Sequence, residues 1–341
     1  MIKRIISFLV VFLMSFSLSA CSENQEIPDS PENNVQEESS VSEENEQDIS
    51  VLQMTAETLL KIAGEPVYGS VGGDWTAFGL ARMDKESNSE WLETYYEKLE
   101  KYVADCGGVL DSRKYTEYSR TVIVLTAIGK DPTNVGGYNL LVPLADFEQT
   151  IFQGMNGPAY ALLALDSGNY EIPENTAGTT QATREFYIDY ILSKESPNGG
   201  WGLAGGEGEI DITAMVLQAL AKYREREDVS AAIDRALIFL SENQNDMGGY
   251  TAYGTDGSES VSQVIVALCE LGIPINDERF VKNGRTLEDR LLDFMVEGEG
   301  FRHLLEEEPN VIATEQAFYA LIALDRAENV MPSLYSILEQ N

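Results

Sequence analysis

From about residue 51 onward the sequence repeats itself as two alternating kinds of helical segment, and this alternation restricts the fold more than any local propensity does. One kind is amphipathic: Trp91, Leu92, Tyr95, Leu99, Tyr102 and Val103 recur at helical spacing with charges between them, as do Val229, Ile233, Ala236, Leu237 and Leu240. Helices of this kind keep one face in water. The other kind is apolar nearly all round, at 122–128, 159–165, 215–221, 264–271 and 317–324, and such helices belong inside.

Read in order, the pattern predicts outer helices near 50–63, 90–104, 144–153, 181–194, 228–243 and 286–297, with inner partners near 74–83, 116–129, 157–167, 211–223, 260–271 and 312–325. Strand alternation is absent. Apolar inner helices need burial on both flanks, so six such pairs point to an all-α fold, an α6/α6 toroid of six helical hairpins closed in a ring over 51–341. An open helical solenoid is the alternative. Between the helices sit glycine-aromatic loops, Gly136-Gly137-Tyr138, Gly199-Gly200-Trp201, Gly248-Gly249-Tyr250 and Gly298-Glu299-Gly300-Phe301. Glycine permits positive φ and close backbone approach, and the aromatic that follows is expected to plug the gap between adjacent hairpins.

The first fifty residues read differently. Lys3 and Arg4 precede an apolar run over 5–18, of secretory-signal rather than membrane-spanning length. The run closes with Leu18-Ser19-Ala20-Cys21, which resembles the bacterial lipobox. That resemblance implies a signal peptide over 1–20, a lipidated Cys21, and a protein exported and anchored at the bacterial cell membrane with its folded part extracytoplasmic. Residues 22–50 carry ten acidic side chains, no basic one and no aromatic. Such a segment has nothing to bury and reads as a disordered, self-repelling tether over 21–50.

The formal charge of −34 is the wrong sign for neutralising phosphates, so a nucleic-acid surface is not expected. Three cysteines without C-x-x-C spacing and a single histidine give no zinc motif or disulfide scaffold. Neither a P-loop nor a strand-linked G-x-G-x-x-G is present. No metal or cofactor is expected.

Gln244-Asn245-Asp246-Met247-Gly248-Gly249-Tyr250 follows the Q-x-x-x-G-x-aromatic core of a known repeat, and 195–201 repeats it with Glu195 in place of glutamine. This resembles the repeat of terpenoid cyclases and protein prenyltransferase β-subunits, the prenyltransferase and squalene oxidase repeat, and covers roughly residues 70–325. The runs Ala127-Ile128-Gly129-Lys130-Asp131-Pro132 and Gln153-Gly154-Met155-Asn156-Gly157-Pro158 look like an exported bacterial branch of this superfamily, which is also similar to the cobalamin-binding toroid of intrinsic factor.

The chemistry that the resemblance implies is tested residue by residue. Class II cyclases protonate an alkene with the middle acid of D-x-D-D. Here Glu209-Ile210-Asp211-Ile212 matches that stretch, with Asp211 at the acid position and Ile212 where the last aspartate belongs, so the motif is incomplete. Asp211 is the one candidate catalytic residue, and its bland alternative is a helix N-cap ahead of Thr213. Prenyltransferases need Asp, Cys and His on zinc, whereas His303 stands alone in a loop and Cys269 lies in an apolar helix. Cys106, followed by two glycines, lacks the setting of a thioester, and it is expected not to bridge Cys269.

In a closed toroid the inner helices run the same way, so their N-terminal ends gather at one mouth. Those ends are polar: Asp74 with Trp75, Tyr118 with Arg120, Asn156 with Tyr160, Glu209 with Asp211, Glu259 with Gln263, and Glu315 with Gln316. They are the candidate ligand-binding residues. Capping is the alternative for each, and Ser260 to Gln263 has capping-box spacing. The sequence therefore points first to a non-catalytic toroid that binds a small molecule or a surface protein. Its alternatives are an enzyme using Asp211, either cyclase-like or carbohydrate-active with paired acids, and a protein-interaction scaffold.

Overall fold

The computed structural model describes residues 50–252 and 254–337. The signal-peptide reading, nearly all of the tether and Cys21 lie outside the described residues. Twelve α-helices follow one another here: α1 (Val51–Ala63), α2 (Trp75–Asp84), α3 (Ser89–Asp105), α4 (Thr116–Ile128), α5 (Phe147–Thr150), α6 (Asn156–Ser167), α7 (Arg184–Ser193), α8 (Ile210–Leu220), α9 (Glu227–Asn243), α10 (Ser258–Glu270), α11 (Leu287–Leu292) and α12 (Val311–Glu328).

The even-numbered helices form the inner layer. Each touches the next, α2 to α4, α6, α8, α10 and α12, and α12 returns to α2, so the ring closes. Burial follows: every residue of α4 is buried, and α8 is buried throughout except at Asp211. Where α2 meets α12 the Phe318 ring lies directly on the α2 backbone, and Gly79 supplies the space. A Cβ there would stand 2.6 Å from the Phe318 ring, nearer than real packing permits.

The odd-numbered helices form the outer layer. α3, α7, α9 and α11 lie against the inner helix that precedes them, and α1 lies against α12 and α2, a different pairing from the outer-then-inner order of the sequence reading. Their stripes are as expected: Leu92, Tyr95, Leu99 and Val103 of α3 are buried, as are Val229, Ile233, Ala236, Leu237 and Leu240 of α9. Tyr102 is the exception, 39% exposed and stacked on Tyr68.

Two outer helices are not the ones expected. Over 144–153 the chain makes 3-10 turns on either side of the four-residue α5. Pro143 starts the first turn, extended Asp146 caps α5 through its side chain, and Gly154 at φ 67° ends the run. Over 286–297 the helix stops at Leu292. Met295–Val296 then pairs antiparallel with Gly300–Phe301, a ladder the sequence reading did not anticipate, and Thr251–Ala252 pairs with Thr255–Asp256 in the same manner.

Three loop aromatics plug the wall as expected, since Trp201, Tyr250 and Phe301 are fully buried. Tyr138 is 40% exposed and covers the backbone at Gly108 instead. Two loops are fastened identically. The Trp201 N–H donates to Thr213 Oγ1 at 2.9 Å and the Phe301 N–H to Thr314 Oγ1 at 2.9 Å. A Cβ on the preceding Gly200 or Gly300 would come within 2.7 or 2.5 Å of that same hydroxyl, which accounts for the glycine. Gln244 of the repeat motif donates to the carbonyls of Gly248 and Phe280 at 2.9 Å each, tying its loop to the next outer segment. In the other copy Glu195 accepts a bidentate pair from Arg235 at 2.6 and 2.7 Å.

Candidate functional site

The first turns of the inner helices do meet at one end of the ring, and they divide into two sectors. In the sector of α2, α4 and α12 the polar side chains are sealed. Asp74, at the N-terminus of α2, is fully buried; it accepts from Arg120 Nε at 2.6 Å, the Tyr95 hydroxyl at 2.7 Å and the Gly69 N–H at 3.0 Å. Arg120 gives its Nη2 to Glu117 at 2.5 Å. Burial works against the guanidinium's charge, and the two carboxylates more than offset it, so its pKa is raised. Glu315 is also buried, accepting from the Gly72 N–H at 2.9 Å and the Thr76 hydroxyl at 2.5 Å. Burial pushes its carboxyl up to about 7, with Asp74 adding to the effect. Tyr118 is buried as well, its hydroxyl held between the Leu110 N–H and the Asp111 carbonyl. Asp74, Tyr118, Arg120 and Glu315, expected to face a ligand, are therefore interior: Asp74, Arg120 and Glu315 clamp the 69–74 segment to α4 and α12, and Tyr118 holds the 110–111 turn.

The sector of α6, α8 and α10 is open. Asn156, Tyr160, Glu209, Asp211, Glu259 and Gln263 are all half-buried, and so are Trp75 and Gln316 on their border. Asp211 does not cap α8. That helix begins at Ile210 after Glu209, which puts Asp211 in its first turn with one carboxylate oxygen, Oδ1, buried and without a hydrogen-bond partner. Burial raises its pKa; the Ser260 hydroxyl opposes this, Glu259 and Glu209 reinforce it and His303 opposes it. The net effect is a carboxyl held above the usual aspartate range.

Beside it Glu259 Oε2 lies 2.7 Å from His303 Nδ1. The pair is built by the chain's path: α10 starts at Ser258, two residues earlier than expected, and docks on the 302–303 loop through Ser258 N–H to the His303 carbonyl and Ser258 Oγ to the Arg302 carbonyl. Ser260 thus sits within the first turn, and the capping box expected from Ser260 and Gln263 does not form. Gln263 instead donates to Gln316 Oε1 at 3.1 Å and to the Tyr319 hydroxyl.

Aromatic rings make the floor. Trp75 lies 6.0 Å from Tyr160 and 6.2 Å from Tyr319 between ring centroids, and Phe78 stacks on Tyr335 beneath. Burial raises the Tyr160 hydroxyl to about 12 and Tyr319 well above its ordinary value. Rings from α2, α6 and α12 thereby meet one another within the inner layer. Asn156 contributes a second buried, unpartnered oxygen, Oδ1.

The sequence reading did not place three members of these sectors at the mouth. Glu117 carried a faint signal, its i,i+3 spacing from Arg120. Tyr319 carried none, and His303, the chain's one histidine, was weighed for zinc rather than for the mouth. Cys106 and Cys269 are both free, and burial pushes the Cys269 thiol up to about 12, as suits a small core side chain.

A closed inner ring of helices wrapped by an outer layer, with polar inner N-termini at one mouth, defines an α/α toroid. Solved structures share this architecture. A UGL variant with dGlcA-Glc-Rha-Glc aligns over 84% of this chain and 97% of its own at a TM-score of 0.54 and 12% identity. Unsaturated glucuronyl hydrolase from Bacillus sp. GL1, responsible for the degradation of glycosaminoglycan, aligns over 85% and 98% at 0.53 and 13%. ent-Copalyl diphosphate synthase from Streptomyces platensis aligns over 73% of this chain at 0.47 and 17% identity, and the chain spans only half of its length. No protein-family model and no curated protein sequence matches the chain.

Proposed function

We propose that this is a lipoprotein, anchored at the bacterial surface through Cys21 and its acidic tether, whose toroid binds a saccharide at the α6–α8–α10 mouth without turning it over. One observation carries the reading: two buried, unpartnered oxygens, Asn156 Oδ1 and Asp211 Oδ1, lie in the first turns of α6 and α8, and α6 also carries Tyr160, whose ring meets Trp75. Aromatic faces for sugar rings, with amides and carboxyl groups for hydroxyls, are the recognition chemistry that a polyhydroxylated ligand needs. Two solved toroids of this architecture carry names that speak of saccharides. The lipobox-like Leu18-Ser19-Ala20-Cys21 behind Lys3, Arg4 and the apolar run supports the anchoring.

The test is the melting temperature of the full-length protein in detergent against a panel of oligosaccharides, corrinoids and isoprenoid phosphates, since a ligand of the folded state raises it. A concentration-dependent rise with saccharides alone supports the reading; a rise with another class redirects it. A second reading, acid catalysis, rests on the raised pKa of Asp211 beside Glu259 and His303. It requires turnover that Asp211→Asn abolishes while saccharide binding persists.

A further inference from the structure

Gln218 is buried in the last turn of α8, and its side-chain amide is tied on both sides. Its Nε2 donates to the backbone carbonyl of Gln263 at 3.1 Å and to Gln263 Oε1 at 3.0 Å. On the other side Gln218 Oε1 accepts from the Tyr335 hydroxyl at 3.3 Å. Tyr335 belongs to the segment after α12, and that segment is fastened. Arg82 Nη2 donates to the Ser333 and Ser336 carbonyls at 3.0 and 3.2 Å, the Tyr335 N–H reaches Glu270 Oε1 at 3.4 Å, and the Tyr335 ring stacks on Phe78.

These bonds run in one direction. A backbone carbonyl cannot be turned over, so it fixes which end of the Gln218 amide faces α10. With its second N–H, Gln218 then fixes Gln263, whose Oε1 faces α8 and whose Nε2 faces α12. There Gln263 Nε2 donates to Gln316 Oε1 at 3.1 Å and to the Tyr319 hydroxyl, which itself donates to Gln316 Oε1 at 3.3 Å. Gln316 Oε1 is thereby taken twice. Gln316 Nε2 donates to no group among the described residues and is not one of the buried unpartnered atoms, so its hydrogens are left to solvent or a ligand. Turning Gln263 over would set nitrogen against nitrogen on one side and oxygen against oxygen on the other, losing bonds that amides withdrawn from water need.

We propose that Gln218 is a positioning residue for the open mouth: acting through Gln263, with Tyr335 of the C-terminal segment completing its own bonds, it holds Gln316 with the amide NH2 group turned out to the mouth. The open sector then offers a donor as well as the acceptors Asn156 Oδ1 and Asp211 Oδ1, the two kinds of group that sugar oxygens and hydroxyls require. What this does for binding rests on the saccharide reading above; the orientation of the amides does not.

The experiment is an NMR spectrum of the side-chain amide groups of the full-length protein in detergent, wild type beside Gln218→Met and Tyr335→Phe, followed by titration of each with gluco-, manno- and xylo-oligosaccharides. In Gln218→Met the Gln263 and Gln316 NH2 signals are expected to shift and to exchange faster with water while that of Asn156 stays in place, and saccharide affinity to fall about three- to tenfold. Tyr335→Phe keeps the ring on Phe78 and removes only the hydroxyl. It is expected to move the same two signals less, and it carries the test should Gln218→Met not fold. Unmoved Gln263 and Gln316 signals, or moved signals with full saccharide affinity, overturn the proposal. If the wild type binds none of the oligosaccharides, the saccharide reading fails, and the amide signals alone uphold or overturn the positioning.

Discussion

The two sectors of the mouth present the same residue types, at the same helix ends, with opposite physical consequences. Around α2, α4 and α12 the acids are closed in with an arginine, a tyrosine, a threonine and backbone N–H groups, so that each buried carboxylate finds hydrogen-bond donors within the protein. Around α6, α8 and α10 Glu209 and Glu259 reinforce the rise of Asp211, Glu259 pairs with His303, and two oxygens, Asn156 Oδ1 and Asp211 Oδ1, go unanswered. A polar helix end at a toroid mouth is therefore not evidence of a binding site. What marks one is polarity that the protein has withdrawn from water and left unsatisfied.

The comparison predicts unequal costs. Arg120→Met, which strands Asp74 in the interior without its cation, is expected to destabilise the fold by about 3–5 kcal/mol in urea unfolding. A loss below about 1 kcal/mol would show that the sealed sector is not a structural clamp.

A smaller effect is expected from pH. Glu315 has a folded-state pKa near 7 against an ordinary 4.5, and Glu270 is displaced alike. The folded state then holds protons that the unfolded chain has released, so the stability these groups contribute is full below about pH 4.5 and is lost as pH rises through 7. Glu315→Gln, which keeps an acceptor for Gly72 and Thr76, is expected to flatten that decline and to be more stable than wild type at pH 8 by on the order of 2 kcal/mol. Melting curves from pH 5 to 8 check it, and an unchanged slope refutes it.

In the open sector a cost like that of Arg120→Met is not expected. Asp211→Asn removes a partly burdened acid and is expected to be neutral or to stabilise by up to about 1 kcal/mol. The smallest effect belongs to His303→Ala, whose pairing with Glu259 is half-exposed and is expected to change stability by less than about 1 kcal/mol. Chemical denaturation of both variants sharpens the contrast; a large loss in either would make the open sector structural too.

Much of the fold was legible because helical period and all-round apolarity are local properties. Ten of the expected helices appear within a few residues of their observed bounds, and the two that fail do so at signals present in the chain, Pro143 and Gly154 around α5 and the Gly298 to Phe301 hairpin after α11. The site was half legible. Helix polarity identified which residues stand at the mouth, but whether each is sealed or open depends on partners distant in sequence. Glu315 is closed by Gly72 across 243 positions, and His303 meets Glu259 across 44, separations that no spacing rule encodes. Asp211 illustrates how a one-residue shift matters, since a helix starting at Ile210 turns an expected cap into an acid with an unpartnered oxygen.

The most direct test of a ligand site in the open sector is the thermal shift of full-length wild type and Asp211→Asn measured side by side against oligosaccharides. A saccharide that raises the wild-type melting temperature with concentration, and raises that of Asp211→Asn far less, is the predicted result. Equal shifts in both proteins, or no shift with any saccharide, would contradict it.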